Sequence, residues 1–142
     1  MAELPLDPRL AADCHLLGRL ATTRLLLRND QRLPWFLLVP ATAAVEVCDL
    51  EPAAQQALWA QVNEVALLVR TLFPVDKLNV AAIGNVVRQL HLHVVGRRHD
   101  DYAWPGVVWG LPGAEAYPAA ALARIRAAVA AHLGDRFVVA GL

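Results

Sequence analysis

The chain has 142 residues, 57% of them hydrophobic and 18% charged, with 13 basic side chains balanced by 13 acidic ones. That length suits one domain able to bury a core, and a mean hydropathy of +0.40 excludes a disordered chain. A formal net charge of +0 argues against nucleic acid as a partner, because phosphate backbones select a basic excess; a small anionic ligand stays open.

In chain order, Met1-Ala2-Glu3-Leu4-Pro5 lacks a basic segment followed by an apolar one, so no signal peptide is expected. Asp7-Pro8 is a helix start, an N-cap followed by proline in the first helical position. A short helix to about Leu17, stopped near Gly18, is predicted. Residues 23–27 and 35–39 are apolar runs of strand length, and the polar link Arg28-Asn29-Asp30-Gln31-Arg32-Leu33-Pro34 between them predicts an antiparallel hairpin. Cys14 and Cys48 show no paired metal spacing and read as free thiols of a reducing cytoplasm.

Asp49 caps the next helix, with Glu51 and Pro52 in its first turn. Leu58, Val62, Val65, Val69 and Leu72 then recur at spacings of four and three, an amphipathic stripe that ends at Pro74. Residues 78–83 and 88–95 read as two strands joined by a tight turn at Gly84-Asn85. Arg97-Arg98-His99 is answered at once by Asp100-Asp101. Pro105 and Pro112 bracket a loop with one short strand, and residues 117–133 form a final helix ended by Gly134. Its alanine-rich run is broken by Arg124, Arg126 and His132, so no segment reaches the roughly 18–20 apolar residues of a membrane span. Phe137-Val138-Val139 adds a terminal strand. Strands and helices mix without regular alternation, which predicts one α+β domain over residues 1–142, its sheet a meander.

Chemistry concentrates in Gln89-Leu90-His91-Leu92-His93-Val94-Val95. In an extended strand side chains alternate, so Gln89, His91 and His93 share one face, about 7 Å apart, while Leu90, Leu92 and Val94 face the core. Imidazole, with an unperturbed pKa of about 6.5, suits nucleophilic or acid–base work near neutrality. Periodicity leaves three readings open. The pair is polar surface, or two ligands of a metal completed by His15, His99, His132 or an acid, or a nucleophile and a phosphate-contacting partner. His15 otherwise reads as structural or exposed, His132 as helix-terminal and His99 as solvated, with the mouth of the site as its alternative. Trp104 and Trp109 read as packing or dimer contacts, with closure over a ligand as the alternative.

Gln-Leu-His-Leu-His-Val-Val followed by Gly-Arg-Arg resembles the signature of the histidine-triad (HIT) superfamily: His, apolar, His, apolar, His and two apolar residues. The resemblance extends over residues 22–97, through Leu25-Leu26-Leu27, the polar turn, Trp35-Phe36-Leu37-Leu38-Val39-Pro40, the amphipathic helix and Leu78-Asn79-Val80. It implies an antiparallel sheet of about five strands with one long helix and shorter terminal ones. It further implies a cytoplasmic nucleotide-binding homodimer without an obligatory cofactor or metal. In that family the middle histidine attacks the α-phosphate of a nucleotide conjugate through a phosphoramidate, which makes His91 the nucleophile and His93 its phosphate-contacting partner. A nucleotide-binding module with little turnover is the alternative reading.

Two departures stand out. Gln89 occupies the first histidine position, where an amide orients a phosphate or a neighbour but cannot titrate. The segment Gly84-Asn85-Val86-Val87-Arg88 is shorter than the family's phosphate-wrapping loop and lacks its Gly-Gln-Ser/Thr, so the resemblance assigns phosphate contacts to Asn79, Asn85 and Arg88. Asn29 lies near the family's acidic ribose-binding position, and Trp35 stands where many relatives carry a polar residue.

Overall fold

A computed structural model describes residues 4–141. Its first element, α1 (Pro8–Asp13), starts as predicted, with the Asp7 carboxylate accepting a hydrogen bond from the Arg9 amide at 2.8 Å. The helix then stops after 6 residues, and β1 (Cys14–Leu20) takes over where a helix to Leu17 was expected. The physical reason is tertiary. The next strand, β2 (Thr23–Arg28), has an edge to be paired, and β1 runs antiparallel to it from Cys14 opposite Arg28 to Leu20 opposite Thr23. Pairing and the burial of Leu17 and Leu20 outweigh a helix preference worth only tenths of a kcal/mol per residue. Gly18 is no helix stop. It lies at the register shift of β1, with φ +159°, where a Cβ would collide with the Val138 carbonyl.

The predicted hairpin forms between β2 and β3 (Trp35–Val39). The long helix α2 (Pro52–Leu72) buries Leu58, Val62, Val65 and Val69 of the predicted stripe. After it come β4 (Lys77–Ala81), β5 (Leu92–Arg97), α3 (Ala119–Leu133) and β6 (Phe137–Val139). The strands form one antiparallel sheet in the order β4-β5-β3-β2-β1-β6, six strands rather than about five because β1 joins.

Alternation assigns the two faces. Phe36, Leu38, Leu92 and Val94 point into a core closed by α2 and α3, while Trp35, Leu37 and Val95 point into a second cluster with Leu10, Leu26 and Val108. At about 1.5–3 kcal/mol for each large apolar side chain buried, the helix-covered face is the main source of stability. The opposite face, covered only by α1 and loops, is free to hold a cavity.

Three further expectations are corrected. β5 starts at Leu92, not at residue 88, and extends to Arg97. Residues 82–91 form a wide loop instead of a tight turn at Gly84-Asn85, because their polar groups serve other partners: the Ile83 carbonyl meets the His93 ring and the Gln89 amide meets the N-terminal segment. Between Pro105 and Pro112 no strand forms; a buried ion pair and the packing of Val108 shape that segment instead. No helix among the described residues is long and apolar enough to cross a membrane.

Candidate active site

The site sits on the loop-covered face, where β3 and β5 run side by side with Leu37 opposite His93. His91 precedes the strand and His93 lies within it, yet the rings meet with centroids 4.9 Å apart and both residues are buried. Each imidazole is fixed by a partner whose role is unambiguous. The Trp35 indole can only donate, and its N–H points at His93 Nδ1 at 2.9 Å. Nδ1 is therefore the acceptor, and Nε2–H donates to the Ile83 carbonyl at 3.3 Å. His91 is held the opposite way. Its Nδ1–H donates to the Gln89 carbonyl at 2.6 Å, which leaves Nε2 with an unshared electron pair.

Burial pushes the His93 pKa down to about 4, helped by the neighbouring His91 and by Arg28 and opposed by the Ile83 carbonyl. His93 is thus neutral at pH 7 and acts as a hydrogen-bond donor rather than a cation. The linkage has a definite sign. The unfolded ring binds a proton near 6.5 while the folded ring resists until about 4, so stability contributed by neutral His93 is complete above pH 6.5 and is lost as pH falls toward 4. At about 1.4 kcal/mol per unit the loss is on the order of 3 kcal/mol. Urea unfolding at pH 7 and pH 4.5 should show this fall, and His93→Gln should flatten it; an unchanged slope in the variant would refute the assignment.

A cavity of about 520 Å³ opens beside these rings. Trp35, Ile83, Asn85, Arg28 and Trp109 wall it together with the two histidines. Trp109 packs edge-on against both Trp35 and His93, at 5.7 and 5.4 Å between centroids. It is delivered there by the segment after β5, which the buried Arg97–Asp101 pair anchors: Arg97 Nε and Nη2 bind the two carboxylate oxygens at 2.8 and 3.0 Å. A smaller cavity of about 130 Å³ adjoins His91 on the side of Arg88, Asn85 and Gln89.

The sequence-derived candidates separate into two groups. His91, His93 and Asn85 line the main cavity, and Gln89, Arg88, Asn85 and His91 the smaller one. The Gln89 side chain is occupied, its Oε1 accepting from the Asp7 amide at 2.7 Å and its Nε2 donating to the Pro5 carbonyl at 3.1 Å. Asn29 and Asn79 line neither. Asn29 Oδ1 accepts from the Tyr117 amide at 2.9 Å, and Asn79 Oδ1 accepts from Arg97 Nη1 at 2.9 Å. Among the described residues no three His, Cys, Asp or Glu side chains gather as a metal site around His91 and His93.

Sequence reasoning passed over Arg28 as a cavity wall and offered closure over a ligand for Trp109 only as the alternative to packing. Arg28 ends a strand after three leucines, a weak signal; Trp109 reaches the site only through the loop anchored by Asp101.

The fold and site define a small α+β protein with two buried imidazoles packed together at the start of an inner strand of one antiparallel sheet. The profile of the HIT domain family matches residues 9–100, and the chain belongs to that family. Among solved structures it is similar to a histidine triad protein from Bradyrhizobium japonicum, with 35% identity over 94% of this chain and 100% of that one and a TM-score of 0.89. A histidine triad protein from Sinorhizobium meliloti shares 40% identity over 90% of this chain and 96% of its own, with a TM-score of 0.87. One from Marinobacter aquaeolei shares 39% over 93% and 97%, with a TM-score of 0.88. No curated protein sequence matches the chain.

Proposed function

We propose that the protein is a nucleotidyl hydrolase or transferase that attacks the α-phosphate of a small nucleoside phosphate conjugate with His91. The observation that carries this reading is the Nδ1–H hydrogen bond from His91 to the Gln89 carbonyl, which leaves Nε2 as the nucleophile. The Nε2–P bond forms as the bond from phosphorus to the leaving group breaks, and the leaving group departs with the electron pair and takes a proton from solvent, which the water attacking in the second step returns. Attack by water on the phosphoramidate then breaks N–P, returns the electron pair to Nε2 and releases a nucleoside monophosphate. Asn85 and Arg88 supply donors to the phosphoryl oxygens, and His93 Nε2–H joins them by exchanging its Ile83 acceptor for the phosphate. No step calls for a metal or other cofactor.

Incubation with adenosine phosphoramidates and diadenosine polyphosphates tests the reading. AMP release, with a transient mass increase of one adenylyl group on the protein, is expected; no turnover of either class would count decisively against it. A second reading, a nucleotide-binding module with little turnover, draws on the Gln89 amide, whose polar ends both serve the N-terminal segment instead of the reacting group. AMP binding by calorimetry without hydrolysis of any conjugate would favour that one.

The same reading includes a homodimer working in the cytoplasm. The outer edge of β4 has no strand partner among the described residues, Val80 on it is exposed, and so are Trp59 and Leu67 of α2. Both cysteines are free, which suits a reducing compartment.

A further inference from the structure

The main cavity holds more hydrogen-bonding capacity than attack at one phosphorus uses. Arg28 lays its guanidinium over the Trp35 ring, 4.5 Å from its centroid, and its Nε is buried without a hydrogen-bond partner. Trp109 Nε1 is likewise buried and unpartnered. Both residues line the cavity that contains His91 and His93. An unmet buried donor is costly, and more so if charged, so two on residues that wall one cavity point to an acceptor that binds there.

The chemistry of that acceptor follows from the donors. Neither a guanidinium nor an indole accepts a hydrogen bond, and both donate, so an oxyanion satisfies both. Each donor is held in place by aromatic packing, Arg28 by the Trp35 face and Trp109 by its contacts with Trp35 and His93. The reacting phosphorus belongs elsewhere. His91 has its ring contact with His93, at 4.9 Å, whereas Trp35 and Trp109 pack against the His93 ring. The orphan donors therefore stand beyond His93, toward the tryptophans.

We propose that Arg28 and Trp109 form a second oxyanion subsite in the His91 cavity, so that the preferred substrates carry a phosphate or carboxylate besides the phosphorus that is attacked. This rests on the nucleotidyl-transfer reading for the identity of that phosphorus, while the subsite itself rests on the two orphan donors. It adds to that reading a requirement for two anionic centres, which an ordinary mononucleotide does not meet.

Matched ligand pairs test it by calorimetry on the full chain. One pair is AMP against adenosine 3′,5′-bisphosphate; the other is the ethylamine phosphoramidate of AMP against its β-alanine phosphoramidate, which adds a carboxylate. The doubly anionic member of at least one pair should bind about tenfold or more tighter, and which pair responds separates phosphate from carboxylate. In Arg28→Gln and in Trp109→Phe, which keeps the ring and removes only the N–H, the ratio within the responding pair should fall toward one. Equal affinities within both pairs, or a preference unchanged in the variants, would overturn the subsite. If no adenosine compound binds, phosphonoacetate, which joins two oxyanions without a nucleoside, separates the two ideas. Binding of phosphonoacetate that is lost in Arg28→Gln keeps the subsite while the nucleotide reading falls, and its failure to bind removes both.

Discussion

His91→Ala should lower the rate of nucleotidyl transfer by at least about 10³-fold, because nothing else at that position offers an electron pair to phosphorus. The ring is buried and its Nδ1 is committed to the Gln89 carbonyl, so its orientation does not depend on substrate. Removing the imidazole removes the covalent route altogether and leaves water to attack a phosphate held by the remaining donors. The decisive measurement is the intact mass of protein quenched during turnover. Wild type should show an adenylyl adduct and the variant none; a variant that keeps both adduct and rate would move the nucleophile to another residue. His93→Gln should give a smaller loss, since it removes a donor rather than the attacking atom.

Asp101→Asn should destabilise the protein by about 3–5 kcal/mol, although Asp101 touches no substrate in the proposed reaction. Arg97 is 1% exposed, and its guanidinium is neutralised by Asp101. The same carboxylate accepts from the backbone amides of Arg98, Ala103 and Trp104 at 3.1, 3.0 and 2.8 Å. Burial alone would raise the Asp101 pKa, but the Arg97 hydrogen bonds, the backbone amides and the Arg97 charge together hold it well below the usual carboxylate range. Removing the negative charge leaves a buried cation unpaired and loosens the segment that carries Trp109 to the cavity. The urea midpoint should fall accordingly, and the double change Arg97→Met/Asp101→Leu should recover much of the loss, since it buries no charge at all. If Asp101→Asn cost less than about 1 kcal/mol, the pair would have to be solvated rather than buried.

How much was legible beforehand differs by element. The hairpin of β2 and β3 and the helix α2 carried their own signals: two apolar runs about a polar turn, and a stripe at spacings of four and three. The paired histidines were legible for the same reason, since a two-residue spacing brings side chains to one face even when the strand begins only at Leu92. β1 was not legible, because what makes it a strand is the open edge of β2 and the approach of β6, neither of which is local. The loop 82–91 was misread as a turn because its defining bonds reach to His93 and to the N-terminal segment.

The sequence by itself determined the α+β class, the family resemblance and the placement of His91 and His93 side by side, because these depend on periodicity and on residue type. Only the tertiary structure decided which nitrogen of each ring is free, since that depends on Trp35, Ile83 and the Gln89 carbonyl arriving around them. It also decided that the Gln89 side chain binds the N-terminal segment, that Asn29 and Asn79 hold the backbone and Arg97, and that Arg28 and Trp109, each with an unmet buried donor, wall the cavity. Side-chain hydrogen bonds between residues far apart in the chain are set by packing, and no local pattern encodes them.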